Sequence, residues 1–341
     1  MSSLRPVSGS ADEILALLRE WDRSSDPTSL VIETSGSTGS PKRVVLSRSA
    51  LRASALATHE RLGGPGQWVL NLPATYVAGL QVLYRCVVAG VEPVPFDGTL
   101  ARTRERISGR SYISLVPTQL VRVLHDADGA DSPADLAAFD AVLIGGGPLD
   151  PRVRARAEAQ GIPVVQTYGM SETCGGCVYD GLPLAGVEVR IDEGHVLLRG
   201  PMLFDGYEGD AARTESVLRD GWFHTSDHGH VAPSGRLHID GRADDVIISG
   251  GVKVPAPAVA AAIGRLTAVT AVEVVGVPDA EWGERVVAVV AARDPISLAA
   301  VRDEVEPRTW APRQLVVVDS LPMLPNGKVD RVRARELAAR D

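Results

Sequence analysis

Thr34-Ser35-Gly36-Ser37-Thr38-Gly39-Ser40-Pro41-Lys42 is a run of hydroxyl and glycine residues closed by a proline and a lysine. A loop of this composition presents backbone N–H groups, hydroxyl donors and one cation to a common point, which is what a polyphosphate requires. The lysine is conspicuous because only Lys42, Lys253 and Lys328, among 35 basic residues, are not arginine. Each sits in a Gly-rich or Gly-flanked segment, where a compact point charge and a planar guanidinium fork are not interchangeable. The spacing is not that of a Walker A loop, because neither Gly36 nor Gly39 precedes a Gly-Lys-Ser/Thr at the required distance. The elements needed to hold the run are legible on both sides. Leu30-Val31-Ile32 and Val44-Val45-Leu46 read as short buried strands, and a helix follows over about 49–62 with Ser47 or Ser49 as N-cap.

Composition bounds the partners. At 341 residues the chain is large enough for two domains or one large one, and 45% apolar with 23% charged residues is ordinary for a soluble globular protein. A net charge of -8, with no Lys/Arg-rich run, argues against nucleic acid. No apolar run approaches a membrane span, and Met1–Ser10 has no signal-peptide core, so the expected compartment is the cytoplasm. A homodimer is left open.

Two constellations resemble metal or redox sites. Cys174-Gly-Gly-Cys177 spells C-x-x-C, yet it has no second pair and no thioredoxin-like context, so two small residues in a crowded turn is the expected reading. His224, His228, His230 and His238 fall on a strand–turn–strand pattern, where period-two alternation is expected to scatter them over both faces.

Along the chain an amphipathic helix at about 11–21 leads into alternating strands and helices. Strands are expected at 68–72, 92–96, 112–116, 141–144 and 164–167, and helices at 79–89, 117–124 and 151–160. This alternation predicts an α/β domain with a largely parallel sheet, whose ligands bind at the carboxyl ends of the strands. Gly145-Gly146-Gly147 and Tyr168-Gly169-Met170 both follow strands in this way. From about Gly181 short strands predict a small antiparallel sheet or distorted barrel. After Gly241 a separate small α+β domain is expected, giving domains of 1–241 and 242–341.

Six segments then stand in order: 34–42, Gly145–Pro148, Tyr168–Thr173, Gly221–Asp227, Gly241–Asp245 and Leu324–Asp330. In that order and spacing the chain resembles the acyl-adenylating enzymes, which include the AMP-forming acyl-CoA synthetases. The resemblance implies a large N-terminal domain and a small mobile C-terminal domain. It also implies a reaction in which a carboxylate attacks the α-phosphorus of ATP and a thiol, here coenzyme A, captures the acyl-adenylate. Site residues carried over by motif are as follows. Thr34, Ser35, Gly36, Ser37, Thr38, Gly39 and Lys42 would hold phosphates. Gly145, Gly146, Gly147 and Tyr168 would line the adenine slot, and Thr167, Gly169, Met170 and Ser171 would also bind the cofactor. Glu172 would meet Mg²⁺, Asp227 the ribose hydroxyls with Arg242 beside it, and Gly251 and Lys253 the coenzyme A side. Lys328, Glu172 and Thr38 would form the catalytic set, and Asp244 the hinge. Within the family the resemblance is to the short o-succinylbenzoate-CoA ligases of menaquinone biosynthesis, carried by 61–66, 78–83, 142–148 and 172–181. Only 33 residues precede Thr34, fewer than most members have, as in that short form. Tyr76 stands where the family usually has His. Tyr76, Gly79, Arg85 and Ser171 are the residues expected at the acid, whose second carboxylate needs a cation or donors. Other aryl or alkyl acyl-CoA ligases, carrier-loading adenylating enzymes and a non-catalytic nucleotide-binding regulator remain alternatives at this stage.

Overall fold

The structure, a computed structural model, describes residues 4–25, 28–34, 42–125, 130–242, 245–325 and 327–340. They fall into two units. One holds the described residues up to Thr225 together with His230–His238, and the other Ser226–Gly229 and the described residues from Ile239 onward.

In the first unit the strands Gln67–Leu70, Val94–Pro95, Ser111–Leu115, Ala141–Ile144 and Val164–Met170 run parallel in one sheet. Ala141–Ile144 is buried along its whole length, the continuous apolar run a strand needs when helices cover both faces. Period two divides it between two cores. Val142 and Ile144 pack with Leu120, Leu124 and Phe139, while Ala141 and Leu143 pack with Trp68, Cys86 and Tyr112. Beyond Val164–Met170 the sheet turns antiparallel through Gly175–Tyr179 and Leu182–Pro183.

Local sequence explains the helices beside these cores. Ser10 and Glu13 cap Ala11–Arg23 reciprocally, the Ser10 N–H donating to Glu13 Oε2 at 2.7 Å and the Glu13 N–H to Ser10 Oγ at 3.3 Å. Ser47, one of the two expected caps, starts Arg48–Arg61. Val77–Ala89 ends on Gly90 in the left-handed conformation.

A four-stranded sheet orders Arg5–Pro6, Leu30–Thr34, Lys42–Leu46 and Gly206–Tyr207. Another carries Glu188–Asp192, His195–Arg199, Trp222–Val231 and Leu218–Arg219, with Leu237–Arg242 pairing Trp222–Val231. Here one expectation is corrected. Positions 224, 228 and 230 have the same parity in one strand, so all three histidines lie on its more open face while 223, 225, 227 and 229 are buried. His238 joins them, stacking on His230 with ring centroids 5.3 Å apart. Among the described residues no group of three or more His, Cys, Asp or Glu is placed to hold a metal ion.

The second unit is α+β: Val252–Pro255, Val246–Ser249, Gly283–Ala292 and Val269–Asp279 are antiparallel neighbours, and Gln314–Val318 adds parallel to Gly283–Ala292. Helices Ala256–Ile263 and Arg331–Ala338 bury Val259, Ile263, Ala334 and Ala338 against it. Among the described residues no helix is long and apolar enough to cross a membrane.

Candidate active site

Leu30–Thr34 and Lys42–Leu46 form the antiparallel neck of the glycine-rich run, with Thr34 opposite Lys42 in register. Ser35, Gly36, Ser37, Thr38 and Gly39 lie outside the described residues, so the neck is what the structure shows of that segment. Gly206–Tyr207 pairs on the other side of Lys42–Leu46, Tyr207 opposite Val44. Only glycine fits at 206, where φ is +144° and a Cβ would stand 2.8 Å from the Thr214 side chain.

Strands Lys42–Leu46 and Gly206–Tyr207 bring Lys42 and Tyr207 against Glu172. Lys42 Nζ is 3.9 Å from Glu172 Oε1, and the Tyr207 hydroxyl donates to the same oxygen at 2.8 Å. Lys42 also lies over the Tyr207 ring, 5.6 Å from its centroid. Glu172 is only 7% exposed, a burial that a carboxylate tolerates when a cation and a donor face it. Burial, and after it the Glu172 charge, pushes the Tyr207 hydroxyl pKa well up, so the phenol keeps the proton it donates.

Glu172 rides on a short 3-10 turn, Ser171–Thr173, built at the end of strand Val164–Met170. The Phe204 N–H donates to the Glu172 carbonyl at 2.9 Å, and the Met170 N–H to Thr173 Oγ1 at 2.9 Å. The Cys174 carbonyl accepts from Ser54 Oγ at 3.1 Å and from Gln81 Nε2 at 2.8 Å, closing the turn from behind. Gly169 is dictated by contact, since a Cβ there would meet the Gly175 carbonyl oxygen at 2.1 Å. At the neighbouring strand end the Gly145 N–H donates to the Leu115 carbonyl, and a Cβ on Gly145 would stand 2.4 Å from Thr167 Oγ1. Gly145, Gly146, Thr167, Tyr168, Gly169, Met170, Ser171 and Glu172 are thus gathered at the carboxyl ends of adjacent strands, where α/β sheets bind ligands. Gly147 is adjacent in sequence, and a Cβ there would meet nothing nearer than 3.9 Å.

In the second unit Asp227 is 8% exposed, with Arg242 Nε 3.7 Å from its Oδ1 and Arg242 Nη2 donating to Ser226 Oγ at 2.7 Å. Gly250 and Gly251 make the turn before Lys253, with φ of +58° and +78°. A Cβ on Gly250 would strike the Trp282 ring at 2.6 Å, whereas Gly251 has open space, so its glycine answers to backbone conformation. Lys253 is exposed in its strand. Lys328 is exposed on a turn closed by backbone bonds, Leu324 N–H to the Lys328 carbonyl at 2.8 Å and Gly327 N–H to the Leu324 carbonyl at 2.9 Å. Asp244 lies outside the described residues.

Residues 16–208 match the AMP-binding enzyme family and residues 258–328 the AMP-binding enzyme C-terminal domain. The chain belongs to the AMP-binding enzymes. It is 45% identical over 337 residues to a probable 2-succinylbenzoate–CoA ligase of Mycobacterium tuberculosis, covering 94% of this chain and 87% of that one. Among solved structures it resembles o-succinylbenzoate coenzyme A synthetase of Bacillus subtilis in complex with the acyl-adenylate intermediate, at 26% identity and a TM-score of 0.78, over 90% of this chain and 68% of that one. The same Bacillus enzyme in complex with ATP and magnesium ion gives a TM-score of 0.75 at 26% identity, over 89% and 69% of the two chains.

The residues expected at the acid lie in different surroundings. Tyr76 is the N-cap of Val77–Ala89, at the end of that helix nearest the strand carboxyl ends. Gly79 is buried, and a Cβ there would meet the Pro73 carbonyl oxygen at 2.3 Å, so packing against the chain itself requires the glycine. Arg85 is corrected outright. It lies nine residues past Tyr76, about 13 Å along the helix axis, toward the opposite end of the sheet. It is 4% exposed, with its guanidinium 4.5 Å from the Trp68 ring centroid and Nη2 donating to the Tyr179 hydroxyl at 3.4 Å. Trp68 and Tyr112 stand at the starts of their parallel strands, away from the ligand end.

Tyr207 is the residue that sequence reasoning missed. Nothing in its spacing from Glu172 signals the contact, which exists only because Gly206–Tyr207 pairs with Lys42–Leu46. The two cysteines fit the structural reading. Cys174 takes a left-handed conformation at φ +52°, and both thiols are buried and unpaired. Burial raises both pKa values, that of Cys177 to about 12, far from thiolate chemistry at neutral pH.

Proposed function

We propose that this chain is an AMP-forming acid–thiol ligase that activates 2-succinylbenzoate and passes the acyl group to coenzyme A. The near full-length identity of 45% to the M. tuberculosis ligase carries the reading. The Lys42–Glu172–Tyr207 cluster supports it with a buried carboxylate and a half-buried cation at the neck of the phosphate-type loop.

In the first half-reaction a carboxylate oxygen of the acid bonds to the α-phosphorus of ATP. The bond from that phosphorus to the bridging oxygen breaks, and pyrophosphate leaves. In the second the coenzyme A thiol gives up its proton to solvent, its sulfur bonds to the acyl carbon, and the carbon–oxygen bond to AMP breaks, AMP leaving with the phosphate oxygen. Thr34 to Lys42 holds the departing phosphates, Thr38 and the other hydroxyls donating to charge as it develops. Glu172 would offer the hard oxygen donor that Mg²⁺ prefers, a cation that would supply neutralisation of phosphate charge when bound with ATP. Gly145, Gly146 and Gly147 with Thr167–Ser171 accept the adenine, Asp227 and Arg242 the ribose side, and Gly251 and Lys253 the coenzyme A side. Lys328 stands against the α-phosphate during adenylation. The working division is 1–241 for ATP and acid and 242–341 for the lysine, with Asp244 as pivot, in a cytoplasmic enzyme. With Arg85 at the far end of the sheet, Tyr76 and Ser171 remain as donors for the second carboxylate.

Pyrophosphate release with ATP, coenzyme A and a panel of carboxylic acids tests the reading. The expected result is a kcat/KM at least roughly 100-fold higher for 2-succinylbenzoate than for benzoate or a fatty acid, because an unpaired buried donor costs several kcal/mol. Comparable turnover of benzoate overturns the acid and leaves adenylation standing.

A further inference from the structure

The loop that carries Lys328 is fastened at its foot. Met323 and Val329 face each other in an isolated bridge, and the Asp330 N–H donates to the Pro322 carbonyl at 2.8 Å, so backbone bonds join the two sides of the foot. A joined foot alone does not aim the lysine it carries. Its direction is set by what joins its foot to the sheet.

Arg331 is the first residue of the helix that leaves this foot. Its Nε donates to Glu273 Oε1 at 2.7 Å and its Nη1 to Asp245 Oδ1, so one guanidinium holds two carboxylates from different elements. Glu273 lies within strand Val269–Asp279, and Asp245 immediately precedes strand Val246–Ser249. The acids are well shielded, with side-chain exposures of 14% and 10%. Burial raises the Glu273 pKa, and the Arg331 charge works against that rise. Helix residues Ala334 and Ala338 pack beside the tether against Val275 and Val277, and Leu321 fixes the other strand of the loop's foot in the same apolar cluster.

We infer that Arg331 is a positioning residue for adenylation, which aims the Lys328 loop by clamping its foot to Glu273 and Asp245. Lysine cannot replace it, since a point charge does not span two acids in fork geometry. The inference rests on the assignment of Lys328 to the adenylation step.

The test is a double-mutant cycle read separately on the two half-reactions of the full-length protein. Arg331→Gln is expected to slow adenylate formation roughly 10- to 100-fold, the scale of a catalytic group misplaced by about an ångström. Thioester formation from supplied acyl-adenylate and coenzyme A stays within about twofold of the parent, and so does adenylation when Arg331→Gln is added to Lys328→Ala. Losses that multiply in the double variant, or an equal fall in both half-reactions, overturn the inference. If Arg331→Gln does not fold, Glu273→Gln carries the same cycle, because it keeps the Asp245 contact and a neutral acceptor. A parent that makes no adenylate from 2-succinylbenzoate refutes that acid only, and the cycle runs on the acid the panel selects. An unaffected Lys328→Ala refutes the lysine's role and the clamp's purpose together.

Discussion

Lys42 and Lys328 both follow glycine-containing sequence, and the molecule holds them in opposite ways. Lys42 belongs to a strand with a neighbour on each side, is half-buried, and faces a carboxylate that is itself buried and fed by a tyrosine proton. Lys328 stands exposed on a turn whose ends are joined by backbone bonds, with Arg331 and an apolar cluster at its foot. The first arrangement is preorganised: its charges are placed before any ligand arrives, and its geometry comes from sheet register. The second presents a cation on a short support, suited to a group needed in one half-reaction and not in the other.

The largest expected effect tests that contrast directly. Lys328→Ala removes a cation aimed at developing charge, which costs roughly 3 to 4 kcal/mol, or about 10² to 10³ in the rate of adenylate formation. Thioester formation from supplied acyl-adenylate holds near the parent rate. If both steps collapse, Lys328 is as fixed a part of the site as Lys42, and the contrast dissolves. Single-turnover measurement of each half-reaction decides it.

A smaller effect probes the preorganised side. Tyr207→Phe keeps the ring under Lys42 and deletes the hydroxyl, leaving Glu172 without that donor. Losing a hydrogen bond to a buried charged group costs about 1 to 3 kcal/mol. The loss is expected in ATP-dependent pyrophosphate exchange, with the thiol step changed less. Unaltered exchange would show that Lys42 alone sets the Glu172 carboxylate.

The smallest concerns stability at a buried histidine of helix Arg48–Arg61, beside Arg85. His59 is 6% exposed, and burial, with the neighbouring Arg85 charge adding to it, lowers its pKa from 6.5 to about 4. Above pH 6.5 the ring is neutral folded and unfolded. Between about 6.5 and 4 the unfolded chain takes up a proton that the folded chain refuses, so stability falls as pH drops through that window. His59→Gln is expected to flatten this part of the profile in denaturant titrations at pH 7 and pH 5. An unchanged slope would place the acid sensitivity elsewhere.

Much of this was legible in the sequence, for physical reasons that differ by element. Ala141–Ile144 has the bounds the sequence predicts, because a short apolar run flanked by polar and glycine residues leaves little choice. The hairpin neck around 34 and 42 followed from apolar triplets on each side. Gly175–Tyr179 was not anticipated, since Gly-Gly-Cys masks alternation and the strand is defined by its partner, Val164–Met170. The histidines were misjudged through parity alone, 224, 228 and 230 being even positions in one strand. Tyr207 and Arg331 were invisible for a common reason: each gains its role from a partner far away in sequence, and neither sits in a motif that points there. Arg85 erred in the other direction, near the acid residues in sequence and two helical turns from them in space.

Cys86, Cys174 and Cys177 are all buried, and each thiol is pushed up in pKa, Cys86 and Cys177 to about 12. For the proposed reaction this amounts to self-protection. An acyl-adenylate is a mixed anhydride waiting for a sulfur nucleophile, and a protein that makes one hazards acylating itself. Here the chain's own sulfurs are sealed in apolar cores as neutral thiols, so the coenzyme's sulfur meets no internal competitor. A surface cysteine introduced near Lys42 would end that exclusivity, turning a ligase into a slow suicide substrate of its own intermediate.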